Sequence, residues 1–159
     1  MDLSLISRSE EETLAIGRAL GEVLRPGDVV ALTGELGAGK TVFCKGVGEA
    51  LGIPARRITS PSFTLVAEHE GRVRLFHVDV YRLGSEREAE DAGIGEVLGG
   101  EGIGVVEWAE KIPSLLPTGA IRVTFLDLEG EERRLRILGA DAPRFLPFRI
   151  ATRPFARGG

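Results

Sequence analysis

The eight residues Gly34-Glu35-Leu36-Gly37-Ala38-Gly39-Lys40-Thr41 constrain this chain more than any other stretch, because they match the pattern G-x-x-x-x-G-K-S/T without a gap. A loop of this pattern turns its backbone N–H groups inward around the β- and γ-phosphates of a nucleotide. That demands backbone conformations and close approaches that only glycine tolerates at several positions. Gly34, Gly37 and Gly39 supply them, and the phosphate cradle spans Leu36, Gly37, Ala38, Gly39, Lys40 and Thr41. Lys40 offers a mobile point charge to the terminal phosphates, while the Thr41 hydroxyl is placed as a ligand of a phosphate-bound Mg²⁺.

Glycine-rich matches arise by chance in a chain with 22 glycines, so the flanks decide. Pro26-Gly27-Asp28 reads as a turn, and Val29-Val30-Ala31-Leu32-Thr33 is the apolar, β-branched run of a buried parallel strand. From Thr41 the pattern becomes helical, with Phe43, Val47, Ala50 and Leu51 on one face and Gly52 with Pro54 closing it. The order strand, loop, helix is the one a phosphate-binding loop requires. Upstream, Ser9-Glu10-Glu11-Glu12 is a capping-box signature before Thr13, Ile16, Leu20 and Val23, which predicts an amphipathic helix with an acidic, solvated first turn.

At 159 residues the chain is long enough for one sizeable core. Its hydrophobic content of 43% and charged content of 28% are globular values, and no apolar run reaches the length of a membrane span. Met1 to Glu12 lacks the basic start and apolar middle of a secretory signal, so a cytoplasmic location is expected. The single cysteine, Cys44, cannot form an internal disulfide and reads as a packed thiol on the helix after the loop. A net charge of −4 argues against a large surface that neutralises nucleic-acid phosphates. That charge is uneven: residues 140–159 carry +3, leaving −7 on residues 1–139, so an Arg-rich C-terminal tail is expected beside an acidic domain.

Beyond the loop, Arg56 to Thr64 is a hydroxyl-rich segment broken by Pro61, the composition of a turning connection. Phe63 to Glu68 and Val73 to Tyr81 read as strands of an antiparallel hairpin turning near Glu70-Gly71. A period of two puts Phe76, Val78 and Val80 on a core face and His77, Asp79 and Tyr81 on the other, either a solvated surface or a site facing the nucleotide. Ser85 to Leu98 is acidic and helical with a break at Gly93-Ile94-Gly95. Ile103-Gly104-Val105-Val106-Glu107-Trp108 is a buried-strand pattern ending in an acid. A second parallel strand ending beside a phosphate-binding loop with a carboxylate can hold the metal or its water, which makes Glu107 a candidate. Ile121 to Leu128 and Arg133 to Leu138 form a further hairpin around Glu129-Gly130. With only His69 and His77, histidine-based metal or nucleophile chemistry has little to work with.

Gly34 to Thr41, Ser60-Pro61-Ser62-Phe63-Thr64-Leu65, His77-Val78-Asp79-Val80-Tyr81-Arg82 and Val106-Glu107-Trp108-Ala109-Glu110, in this order, resemble the TsaE (YjeE) family. The resemblance runs from about Ser9 to Leu138, and its H-x-D-x-Y-R and E-W elements are far more specific than the loop. It implies a single α/β P-loop domain with a mixed sheet and added antiparallel hairpins. It also implies an ATPase needed, with the TsaD and TsaB proteins, for the threonylcarbamoyl group on adenosine beside the anticodon of tRNAs reading codons that begin with A. In the family pattern Thr41 and Glu107 would meet Mg²⁺, Asp79 would serve hydrolysis, Ser60 to Thr64 would be switch-like near the γ-phosphate, and the nucleotide would touch the region of Glu10. Lys40, Asp79 and Glu107 are the catalytic candidates; tRNA would be met through the partner complex. Ser62 stands where the family commonly has Thr, and the tail from about Ala140 lies outside the pattern. A small-molecule kinase and a non-enzymatic nucleotide-dependent binding module are the alternatives to an ATPase.

Overall fold

A computed structural model of the chain describes residues 2–35, 37, 39–61 and 63–156. Strand β1 (Asp2–Ser7) leads into helix α1 (Glu10–Gly21), then β2 (Val29–Thr33) and α2 (Lys40–Ala50). Next come β3 (Val66–His69), β4 (Leu75–Asp79), the short helices α3 (Glu86–Asp91) and α4 (Ile94–Val97), and β5 (Ile103–Glu107). The hairpin β6 (Ile121–Asp127) and β7 (Arg133–Leu138) precedes α5 (Leu146–Ala151).

The strands form one seven-stranded mixed sheet in the order β1-β7-β6-β2-β5-β4-β3. Its centre is parallel, β6 with β2, β2 with β5 and β5 with β4, while β3 and the β7–β1 pair add antiparallel edges. The α/β class with antiparallel hairpins read from the sequence is the architecture found. Strands β2, β5 and β4 are covered on both faces, whereas β6 buries only the face of Ile121, Val123 and Phe125. In β2, Val30 and Leu32 join a core beneath α1 and α2, and Val29 and Ala31 join a second core with α3, α4 and the turns after β5. That two-sided burial is why β2 and β5 read as continuous apolar runs rather than alternations.

The same fact corrects the reading of β4. Val78 and Val80 are buried as expected, but Phe76 is only half-buried, resting against Gly102 at the sheet's far end, and the opposite face is not solvated: Leu75, His77 and Asp79 are buried too. Strand β3 also begins later than expected, at Val66, because residues 63–65 turn.

Helix α1 starts at the Ser9 cap that the sequence marks, although Glu12 reaches back to the amide of Arg8 rather than that of Ser9. The Ser9 hydroxyl accepts from Glu12 N at 3.1 Å, and the Glu12 carboxylate accepts from Arg8 N at 2.8 Å. It lies in backbone contact with α2, since a Cβ on Gly17 would overlap the Phe43 carbonyl and one on Gly46 the Leu14 carbonyl. This close approach sets the α1 N-terminus beside the start of α2. Residues 143–155, expected within an Arg-rich tail, fold back as α5 and flanking turns, and Phe145 and Phe148 enter the core that contains Leu5, Ile16 and Leu20. Arg144 clamps Asp28 in bidentate fashion at 2.8 and 2.9 Å, and Arg149 donates to the Ala140 carbonyl at 2.6 Å. Among the described residues no helix is long and apolar enough to cross a membrane.

Candidate functional site

Strand direction gathers the site. The central strands β6, β2, β5 and β4 are parallel, so their C-terminal ends share one edge, and ligands of open α/β sheets bind outside that edge. Strand β1 runs the same way, because two successive antiparallel pairings reverse direction twice. The β2–α2 loop, Asp79 at the end of β4, Glu107 at the end of β5, the start of α1 and the β6–β7 turn therefore converge. They enclose a cleft of about 560 Å³, a size suited to a small ligand.

Gly34, Gly37 and Gly39 have φ of +143°, +81° and +100°, the left-handed region that an L side chain resists. Leu36 and Ala38, two of the expected cradle residues, lie outside the described residues, as does Ser62. Lys40 Nζ donates to the carbonyls of Gly34 at 2.6 Å and Glu35 at 2.8 Å and stands 4.0 Å from the centre of the Trp108 ring. Burial lowers the Lys40 pKa below its ordinary value, against the opposing pull of Glu107, Glu110, Asp79 and Asp127.

Thr41, on the first turn of α2, presents its hydroxyl 3.0 Å from both carboxylate oxygens of Glu107. Parity explains how three polar side chains meet there. Leu75, His77 and Asp79 on β4 share a face with Ile103, Val105 and Glu107 on β5, and that face looks toward α2. The register pairs Asp79 with Glu107, while His77 Nε2 reaches across to Glu107 Oε2 at 2.5 Å. Burial disfavours a charged imidazole, but Cys44 and Glu107 outweigh it and raise the His77 pKa to about 10. Asp79 accepts from the Ser60 hydroxyl through Oδ2 and from the Tyr81 amide through Oδ1 at 2.9 Å.

Around the mouth stand Tyr81 and Trp108, whose ring centres are 4.7 Å apart, and Arg82, whose guanidinium lies 4.1 Å over the exposed Phe63 ring. Glu10 lines the cleft at the α1 N-terminus, next to Ser9 and Thr13. All the described candidates from the sequence thus reach one cleft: Glu10, Gly37, Gly39, Lys40, Thr41, Asp79 and Glu107. Sequence reasoning missed Glu131 and Arg133, which reach it from the β6–β7 hairpin. Only the sheet order, with β6 beside β2, brings that turn to the loop.

Thr41 and Glu107 offer hard oxygen donors at one point, the donor type Mg²⁺ prefers, so these residues fit a phosphate-bound Mg²⁺. No cluster of three His, Cys, Asp or Glu side chains able to hold a metal occurs among the described residues. A cation bound largely through nucleotide phosphates and water does not require one.

A strand, a glycine-rich loop and a helix at the centre of a parallel sheet, with the neighbouring strand's acid on the loop threonine, define a P-loop nucleotide-binding domain. The family model described as "Threonylcarbamoyl adenosine biosynthesis protein TsaE" matches residues 7–135. The tRNA threonylcarbamoyladenosine biosynthesis protein TsaE of Treponema pallidum is 42% identical over 132 residues, covering 83% of this chain and 97% of that protein. Its namesake in Bacillus subtilis is 43% identical over 126 residues, covering 79% and 78%. The crystal structure of Bacillus subtilis YdiB is similar with a TM-score of 0.76 and 32% identity, over 97% of this chain and 96% of that one. The chain belongs to the TsaE family.

Proposed function

We propose that this protein is a Mg²⁺-dependent ATPase that acts with TsaD and TsaB in forming threonylcarbamoyladenosine on tRNAs reading codons that begin with A. The observation that carries the reading is the convergence of Thr41, Glu107 and Asp79 on the mouth of the glycine-rich loop. Family membership supports the pathway, since the relatives bear the name of that modification.

In this reading the loop amides and Lys40 bind the β- and γ-phosphates. Lys40 leaves the Gly34 and Glu35 carbonyls to do so, and needs no larger excursion because those carbonyls belong to the loop itself. Thr41 and Glu107 would hold Mg²⁺, which when bound supplies positive charge against the charge developing on the transferring phosphoryl group. Asp79 orients the attacking water and accepts its proton, and Ser60 sets the carboxylate's direction. Glu10 and Arg133 line the cleft from the β1–β7 side of the sheet, opposite the β4 side that carries Asp79, and in this reading would meet the nucleoside half. Phosphoryl transfer is governed by positioning and electrostatics, so these few groups account for the chemistry asked of the chain.

The pathway half of the proposal is tested by reconstitution. Purified TsaD, TsaB, tRNA and the threonylcarbamoyl donor are incubated with and without this chain and ATP, and threonylcarbamoyladenosine is measured in digested tRNA. Repeated turnover should require both the chain and ATP. Equal product without the chain would contradict the assignment.

A further inference from the structure

We infer that His77 is a positioning residue whose Nε2–H holds the Glu107 carboxylate in the orientation that serves Mg²⁺ binding. This rests on the proposed role of Glu107. His77 sits on a central strand, wholly buried, on the face toward α2 where Leu75 and Val105 fill neighbouring places. An apolar side chain would suit that place better for folding alone, since burying an imidazole is costly unless both nitrogens are satisfied. Nδ1 has no partner meeting hydrogen-bond geometry among the described residues, the Cys44 thiol being the polar group that helps to raise the ring's pKa, whereas Nε2 lies 2.5 Å from Glu107 Oε2. The ring's one oxygen partner is therefore the site acid.

Glu107 needs such a bond. Its carboxylate is held by two side chains, Thr41 from α2 and His77 from β4. Asp79, by contrast, is anchored partly by backbone, the Tyr81 amide. When the Thr41 oxygen turns toward a phosphate-bound cation, the His77 bond is what remains of that grip. Hydrogen bonds to metal-side carboxylates fix their direction, and losing one typically costs about 10–100-fold in metal affinity.

The test compares His77→Leu, which fills the space without a donor, with His77→Gln, whose amide nitrogen can reach about as far as Nε2. Each purified protein is titrated with the ATP analogue carrying an imido bridge between the β and γ phosphorus atoms, in EDTA and again with Mg²⁺. Thermal melting monitors folding. His77→Leu should bind the analogue in EDTA within about twofold of the unmodified chain but lose about tenfold of the affinity gained with Mg²⁺. His77→Gln should recover most of that gain. A gain kept in His77→Leu yet lost in Glu107→Ala would overturn the His77 role and leave the Glu107 reading intact. Absence of any Mg²⁺ gain in the unmodified chain would overturn both. Should His77→Leu not fold, His77→Met serves as the donor-free variant.

Discussion

Asp79→Asn should reduce ATP turnover by about 10²–10⁴-fold while leaving nucleotide affinity within about twofold, the span expected when a general base is removed without disturbing binding. The geometry supports this split. Asp79 stands at the end of β4 beside Glu107 in the sheet register and lines the cleft, yet its hydrogen bonds run to the Ser60 hydroxyl and the Tyr81 amide rather than to the phosphate-binding loop. Asparagine keeps an acceptor for the Tyr81 amide, so the backbone turn after β4 is preserved and only the negative charge and the basic oxygen are lost. Asp79→Ala should be as slow in turnover and somewhat less stable, since it removes from a nearly fully buried position the acceptor of the Tyr81 amide. Steady-state phosphate release and equilibrium titration of a non-hydrolysable ATP analogue separate the two quantities. Unaltered turnover in Asp79→Asn would remove Asp79 from the chemistry.

Lys40→Ala is expected to act on binding. A charge-assisted hydrogen bond contributes about 1.5–3 kcal/mol, and Lys40 could make two with the terminal phosphates. It already makes two with the Gly34 and Glu35 carbonyls, and these must be surrendered. The net loss on removal is therefore about 2–3 kcal/mol, or roughly a 10²-fold weaker dissociation constant. Titration calorimetry with the same analogue measures it. The chain's single tryptophan, Trp108, provides a check, because its emission should shift once the Lys40 ammonium no longer faces its ring. Affinity preserved in Lys40→Ala would mean that the loop does not grip triphosphate in the way its pattern indicates.

Lys40 was legible in the sequence, as were Thr41 and Glu107, whereas the strand pattern left Asp79 either solvated or in a site and only the family resemblance gave it a role. Lys40 and Thr41 belong to a contiguous pattern whose flanking strand and helix are each marked by their own periodicity. Glu107 was legible because a wholly buried parallel strand reads as an unbroken apolar run, and an acid at its end is conspicuous. The Ser9 cap was equally local, a bond between residues three apart.

What depended on long-range arrangement was less legible. Alternation in β4 suggested one core face, a rule that holds where a sheet is covered on one side. Here β4 lies between β3 and β5 with layers on both faces, so His77 and Asp79 are as buried as Val78 and Val80, and Phe76 at the strand's other end is left half-covered. The contribution of Glu131 and Arg133 follows from β6 pairing with β2, a neighbour relation that no local spacing encodes. Phe145 and Phe148 escaped notice because α5 is six residues long, too short to show a helical period, and the arginines around them dominated the composition.

The central claim is that this cleft hydrolyses ATP in service of TsaD and TsaB. Its most direct test is phosphate release by the purified chain with Mg²⁺, alone and with TsaD–TsaB added, using Glu107→Ala as the control. Turnover that rises with the partners and is lost in Glu107→Ala is the predicted result; turnover indifferent to the partners, or undiminished in Glu107→Ala, would contradict it.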